Sequence, residues 1–189
     1  MTNTIEKYFK VINTDSTTSK NNSNSSTNCI TIYSDGGCIG NGKKNAFGGI
    51  GIYNETDKTT IAKKIVFDTF NAPVTNNVCE LYAIKLAIDT YAKPSNTIKI
   101  ITDSMYSVNT MTKWAKSWKK NNWTKSDKKI IQNLDLIKDI YEKTLKLNIK
   151  FVHCKSHQAE PKDKSSNLYT IWYGNFMADK LASEVMHSK

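Results

Sequence analysis

Apolar and polar residues alternate from Ile30 through Thr31, Ile32, Tyr33 and Ser34 to Asp35, and the run then breaks at Gly36 and Gly37. The pattern predicts a buried strand that delivers one carboxylate to a tight turn. Residues 47–53 and 60–67, joined by a polar turn region at 54–57, read as two further strands, and three consecutive strands predict an antiparallel meander. From Asn77 the period changes: Leu81, Ile84, Ile88 and Tyr91 recur every three or four residues and stop before Pro94, which predicts an amphipathic helix with Glu80 in its first turn. The β-rich run 97–102 ends at Asp103, and Ser104 can cap the helix that follows. A long helix over about 128–147 would bury Ile131, Leu134, Ile137, Ile140 and Tyr141. A last strand is expected at 149–153, then a polar loop over 155–168 and a final helix over 174–186 with Asp179 in its early turns.

Residues 13–28 are almost entirely Ser, Thr, Asn, Asp and Lys, a composition that cannot offset the entropy of ordering, so they are expected to form a flexible linker. Residues 29–189 then form the single folded domain. Ahead of the linker, residues 1–12 carry Ile5, Tyr8 and Phe9, whose spacing resembles the clamp-binding peptide of replication proteins, with Thr2 in place of the usual glutamine. A sliding clamp is therefore a candidate partner. The alternative, an apolar end that packs on its own domain or does nothing, stays open.

Charge adds a direction: the formal net charge is +10 and all 27 basic residues are lysine. A positive field concentrates polyanions, and here phosphates must be met by ammonium point charges and not by guanidinium forks. The four cysteines show no paired spacing, which argues against a disulfide framework. His153, Cys154 and His157 lack a fourth ligand for zinc. No apolar run approaches a membrane span, so the expectation is an intracellular protein of a reducing compartment, cytoplasm or nucleus, not bound to membrane. A monomer is expected, although nothing in the sequence fixes the oligomeric state. Between 113 and 129, seven lysines interleave with Trp114, Trp118 and Trp123. Lysines that neutralise phosphates beside indoles that stack make this the best nucleic-acid surface in the chain, although one of the tryptophans can equally be core.

Four acids stand out by position: Asp35 and Asp103 at predicted strand ends, Glu80 and Asp179 near predicted helix starts. Singly, each is an ordinary turn or helix-start acid. Their order is more informative. Strand–Asp35-Gly-Gly-Cys, Thr75-Asn76-Asn77-Val-Cys-Glu80-Leu, Ile-Thr-Asp103-Ser104, Trp114 with the basic segment, His157, and Gly174-Asn175-Phe-Met-Ala-Asp179 together resemble the type 1 ribonuclease H family over about residues 29–187.

The resemblance implies an α/β, ribonuclease H-like fold: a five-stranded mixed sheet, its first three strands antiparallel, with helices on both faces. It implies an endonuclease that hydrolyses the RNA strand of RNA–DNA hybrids, leaving 5′-phosphate and 3′-hydroxyl ends. Asp35, Glu80, Asp103 and Asp179 would hold two Mg²⁺ ions roughly 4 Å apart, with Mn²⁺ able to substitute. Asp35 would bridge the two ions. Glu80 would orient the attacking water, and His157 would assist proton movement and product release. Gly36 (backbone), Asn41, Asn76 and Asn77 match positions that sense 2′-hydroxyls in the minor groove. Tyr106, Trp114 and Trp118 match the channel for deoxyribose, and Thr75, Ser126 and Asn133 match contacts to DNA-strand phosphates.

Two departures stand out. Pro73 occupies a position where the family often has an arginine, and the loop between His157 and Asp179 is longer than in compact relatives, carrying Leu168, Tyr169, Ile171, Trp172 and Tyr173. Some of these must pack, which would extend the last helix toward its start. Two other readings share some features: another nuclease of the same fold, such as a junction resolvase or integrase, and a noncatalytic hybrid- or clamp-binding module. The asparagines and tryptophans disfavour the first, and the complete acid set disfavours the second.

Overall fold

The computed structural model describes residues 10–11, 28–66 and 73–188. Ile5, Tyr8 and Phe9 of the clamp-like peptide, residues 13–27 of the linker and Phe67 of the third predicted strand lie outside the described residues.

The alternating run becomes β2 (Asn28–Ile39), which pairs antiparallel with β3 (Phe47–Asn54), itself antiparallel to β4 (Thr60–Ile65). On its other edge β2 runs parallel to β5 (Asn96–Thr102), and β5 runs parallel to β6 (Asn148–His153). This is the expected five-stranded mixed sheet, with its first three strands antiparallel. A two-residue strand, β1 (Lys10–Val11), adds to the edge at β6, giving the order β1-β6-β5-β2-β3-β4.

Period-two alternation sends side chains to two faces. Ile32, Ile98 and Ile100 meet helix α1 (Asn76–Tyr91) and helix α4 (Leu134–Thr144) through Leu81, Ile84, Ile88, Ile137 and Ile140, all at or near zero exposure. Each such side chain contributes about 1.5–3 kcal/mol relative to exposure. Tyr33, Tyr53, Ile101 and Val152 point the other way and pack on helix α5 (Asn167–His187) through Ile171 and Ala178. Between β5 and α4 the chain forms α2 (Met105–Asn109), a π-helical turn (Thr110–Trp114) and α3 (Ala115–Lys120). No helix among the described residues is long and apolar enough to cross a membrane.

Four local expectations change. Asp35 is not at a strand end: β2 continues through Gly36 and Gly37 to Ile39, because β3 keeps pairing with it after β5 has stopped (Gly36 opposite Ile50, Cys38 opposite Gly48). Glu80 is the fifth residue of α1, past its first turn, which begins after the Thr75 cap whose hydroxyl accepts from Val78 N–H at 3.2 Å. The helix placed over 128–147 spans only Leu134–Thr144, since Asn122, Trp123, Lys128 and Asn133 all have positive φ and Ile130 is 80% exposed. The last helix starts at Asn167, where the Ser166 hydroxyl caps Tyr169 N–H at 3.1 Å; this is the early extension that the aromatics implied, and it places Asp179 in the middle of the helix and not in its early turns.

Both helix layers come into backbone contact with the sheet. A Cβ on Gly51 would collide with the Ala178 carbonyl and lie 2.7 Å from the Ala182 nitrogen, so α5 can lie on β3 only because that residue is glycine. Gly51→Ala is expected to cost about 1–3 kcal/mol through overpacking. Thermal unfolding should report this as a Tm lower by several degrees; an unchanged Tm would mean that α5 can shift away without loss.

Candidate active site

Parallel register sets the first pair of acids. Tyr33 lies opposite Ile101 in the β2–β5 ladder, so Asp35 and Asp103, each two residues further along, leave adjacent strands on the same face. Glu80 approaches from α1, where Gly36 makes room: a Cβ there would overlap the Cys79–Glu80 peptide. Asp179 approaches from α5 on the opposite side of the sheet. Four elements therefore bring one carboxylate each to a common place.

Their fields register on one another. Asp35 is pushed up to about 7, first by burial, then by the charge of Asp103 and, more weakly, of Asp179 and Glu80, against the lowering effect of the Gly36 N–H. Burial also raises Glu80, offset in part by a hydrogen bond from the Ser104 hydroxyl, with Asp103 adding to the rise. Asp103 is raised by burial, opposed by a hydrogen bond from Asn175, and feels both Asp179 and His157. No ion pair among the described residues includes any of the four acids. Equally, no group of three or more His, Cys, Asp or Glu side chains among the described residues is arranged, as it stands, to hold a metal ion. The donor chemistry nevertheless suits a hard divalent cation: all-oxygen ligands and like charges crowded together, with no lysine ion-paired to them among the described residues.

Asp103, Asp179 and His157 line one cavity of about 570 Å³. His157 is exposed on the loop after β6 and has φ of 49°. Two residues that the sequence offered only as a helix cap and as part of a motif, Ser104 and Asn175, support the acids. Ser104 caps α2, accepting from Ser107 N–H at 3.1 Å, while its hydroxyl reaches Glu80. Asn175 is buried, accepts the Cys154 thiol at 3.2 Å and so turns its amide nitrogen toward Asp103. The available signal for Asn175 was its position four residues before Asp179, on the same helix face.

The expected substrate contacts fall into two groups. Asn41 accepts Asn76 N–H at 3.1 Å, tying the loop after β2 to the α1 start at Thr75, Asn76 and Asn77. Gly36 lies beside them on β2, with its chain against α1. In the second group Tyr106, Trp114 and Trp118 form a row with ring centroids 6.0 Å apart at each step, and Asn133 hydrogen-bonds to Tyr106. Ser126 is exposed in the turns between α3 and α4. Trp123 packs edge-on against Tyr141 and belongs to the core side, as one of the three tryptophans was expected to. Lys113, Lys116 and Lys120 are exposed beside the row, whereas Lys119 is held by Glu142 at 2.6 Å.

Fold and site together describe an α/β domain with a mixed sheet on which four carboxylates converge. The family model for RNase H matches residues 27–187. Ribonuclease H of Clostridium botulinum (strain Hall) is 37% identical over 161 residues, spanning 83% of this chain and 95% of that protein. Ribonuclease HI of Rickettsia prowazekii (strain Madrid E) is 32% identical over 153 residues, spanning 81% and 88%. Among solved structures, the PFV RNase H domain superposes with a TM-score of 0.62 at 26% identity, covering 82% of this chain and 92% of that one. The chain belongs to the RNase H family, and it is a hydrolase and nuclease of that family. Membership indicates endonuclease activity on the RNA of RNA–DNA hybrids.

The raised Asp35 carboxyl links stability to pH. Between the ordinary 3.8 and about 7 the folded protein keeps a proton that the unfolded chain has released. Raising the pH through that window therefore favours unfolding, and this contribution to stability is lost as pH rises toward 7. Without divalent cations, Tm should fall between pH 4 and pH 8. Asp35→Asn should flatten the fall and raise Tm at pH 8 by on the order of a few degrees. A steeper fall in the variant would contradict the crowding of the acids.

Proposed function

We propose that Asp35, Glu80, Asp103 and Asp179 are the metal-binding carboxylates of an RNA–DNA hybrid endonuclease that works with two divalent cations and leaves 5′-phosphate and 3′-hydroxyl ends. The observation that carries this reading is the convergence of four acids from four elements without a cationic side chain paired to them among the described residues. Mg²⁺ suits this oxygen-only set, and Mn²⁺ is the natural substitute. When bound, such ions lower the pKa of an attacking water and neutralise charge on the phosphate and the leaving oxygen.

The chain's own residues supply positioning. Ser104 holds the Glu80 carboxylate, which orients the attacking water on the RNA side. Asn175 holds Asp103. His157, exposed at the mouth of the shared cavity, can move a proton to the departing 3′ oxygen and help release product. Asn41, Asn76, Asn77 and the Gly36 backbone sense 2′-hydroxyls, and Tyr106, Trp114, Trp118, Thr75, Ser126 and Asn133 carry the DNA strand. Those backbone contacts give register without sequence preference.

A labelled hybrid should be cut only with Mg²⁺ or Mn²⁺ present, with little action on single-stranded RNA or duplex DNA; equal cutting of all three would overturn the assignment. Asp103→Asn should lower kcat by at least about 10³-fold, in the range expected for losing a central electrostatic group, while hybrid binding persists. Replacing Lys113 and Lys116 together by Gln should instead weaken hybrid binding and reduce the slope of log K against log salt by about two. An unchanged slope would remove the surface of the π-helical turn and α3 from the phosphate contacts.

A further inference from the structure

Helix α5 starts seven residues before Gly174, and the added turns carry Tyr169, Trp172 and Tyr173, with Phe176 just beyond. Their rings form a ladder. Trp172 and Phe176 are stacked with centroids 5.3 Å apart and planes 9° from parallel, while Tyr169 lies 5.6 Å from Trp172. Trp172 Nε1 donates to the Gln158 carbonyl at 2.9 Å, which pins the indole against the His157 loop. Phe176 nevertheless remains 42% exposed.

Trp172 and Phe176 line the same cavity as Asp103, Asp179 and His157. Phe176 is one helical turn from Asp179 and Trp172 two turns, so ring ladder and acid share one face of α5 over roughly 10 Å. The cavity, at about 570 Å³, is in the range that takes a nucleoside-sized group. Lys155 stands on its wall, and Glu160 on the same wall is paired to Lys164 at 3.5 Å.

Bases within a duplex already stack on each other, so a ladder of protein rings beside the acids has a free partner only where a base is unpaired. On the proposed reading the strand that passes the acids is the RNA strand, whereas Tyr106 and Trp118 pack on the core of the other face of the sheet, with Trp114 beside Trp118. We propose that Trp172 and Phe176 form a stacking subsite for an unpaired RNA nucleotide next to the phosphate held at the acids, directing the enzyme toward places where the RNA strand leaves the duplex. The subsite rests on the reading of the four acids as the nuclease centre.

The test is hybrid binding by full-length Asp103→Asn protein with Mg²⁺, followed by fluorescence anisotropy. The probes are a flush hybrid and the same hybrid with a short RNA tail at the 3′ end, an RNA tail at the 5′ end, an abasic tail or a DNA tail. One RNA-tail polarity should bind on the order of tenfold tighter than the flush hybrid. Adding Phe176→Ala should erase that ratio and Phe176→Tyr should keep it; effects common to both substrates cancel in the ratio. The proposal is overturned if neither RNA tail gains, if the abasic tail gains equally, or if Phe176→Ala leaves the ratio intact. A DNA tail that gains as much would also overturn it, by removing the preference for RNA. Cleavage of the flush hybrid by the unmodified protein is scored separately: its absence alongside a tail-dependent gain would remove the nuclease reading and leave the subsite standing.

Discussion

At Gly36 the sheet touches helix α1 backbone to backbone, and at Gly51 it touches helix α5 in the same way from the opposite side. Any side chain at either place would hold the helix away from the strands. The positions of Glu80 and Asp179 relative to Asp35 follow from that double contact, because each acid is carried by the helix that the glycine admits. Asp103 needs no such device, since the parallel ladder already delivers it next to Asp35. The site is thus a by-product of close packing on both faces, and packing at this density allows little adjustment.

Crowding that the fold enforces has an electrostatic cost which no ion pair among the described residues relieves, His157 acting only weakly on Asp103. Lysines are abundant, yet the ion pairs among the described residues join surface groups such as Lys85 with Asp89 and Lys143 with Asp139. Hydrogen bonds supply the partial relief: Ser104 to Glu80, Asn175 to Asp103 and the Gly36 N–H to Asp35. These fix orientation more than they neutralise charge. Cys154 extends one of them, because a buried thiol that donates to Asn175 decides which end of the amide faces the acid.

Much of this was legible in the chain. The meander, the two parallel strands and the order of the acids follow from periodicity and from a resemblance spread over the whole domain. What stayed hidden has physical reasons. Gly36 and Gly37 read as a turn because local pattern cannot distinguish a glycine that bends the chain from one that makes room for a helix. The shortened α4 depends on left-handed Asn122, Trp123, Lys128 and Asn133, and only the two asparagines are residues that commonly adopt it. The early start of α5 was signalled by aromatics at helical spacing and by Ser166 as a cap, but Gly174 invited a later boundary. In fact Gly174 is where Tyr33 presses on the helix.

The balance of charge across the molecule couples its binding events. A net charge of +10 draws a polyanion toward the surface from a distance, while the four acids repel its phosphates at the last few ångströms. On the proposed reading of the acids as metal ligands, a scissile phosphate would settle there only together with cations, and cations would be held more firmly once a phosphate shares their charge. Linkage requires the two effects to be equal in size, so hybrid and divalent ion raise each other's affinity by the same factor. On the same reading, the lysines beside Trp114 and Trp118 would contribute to encounter and register, and the selection of a productive complex would fall to the acids, where the approach is unfavourable until a metal is in place.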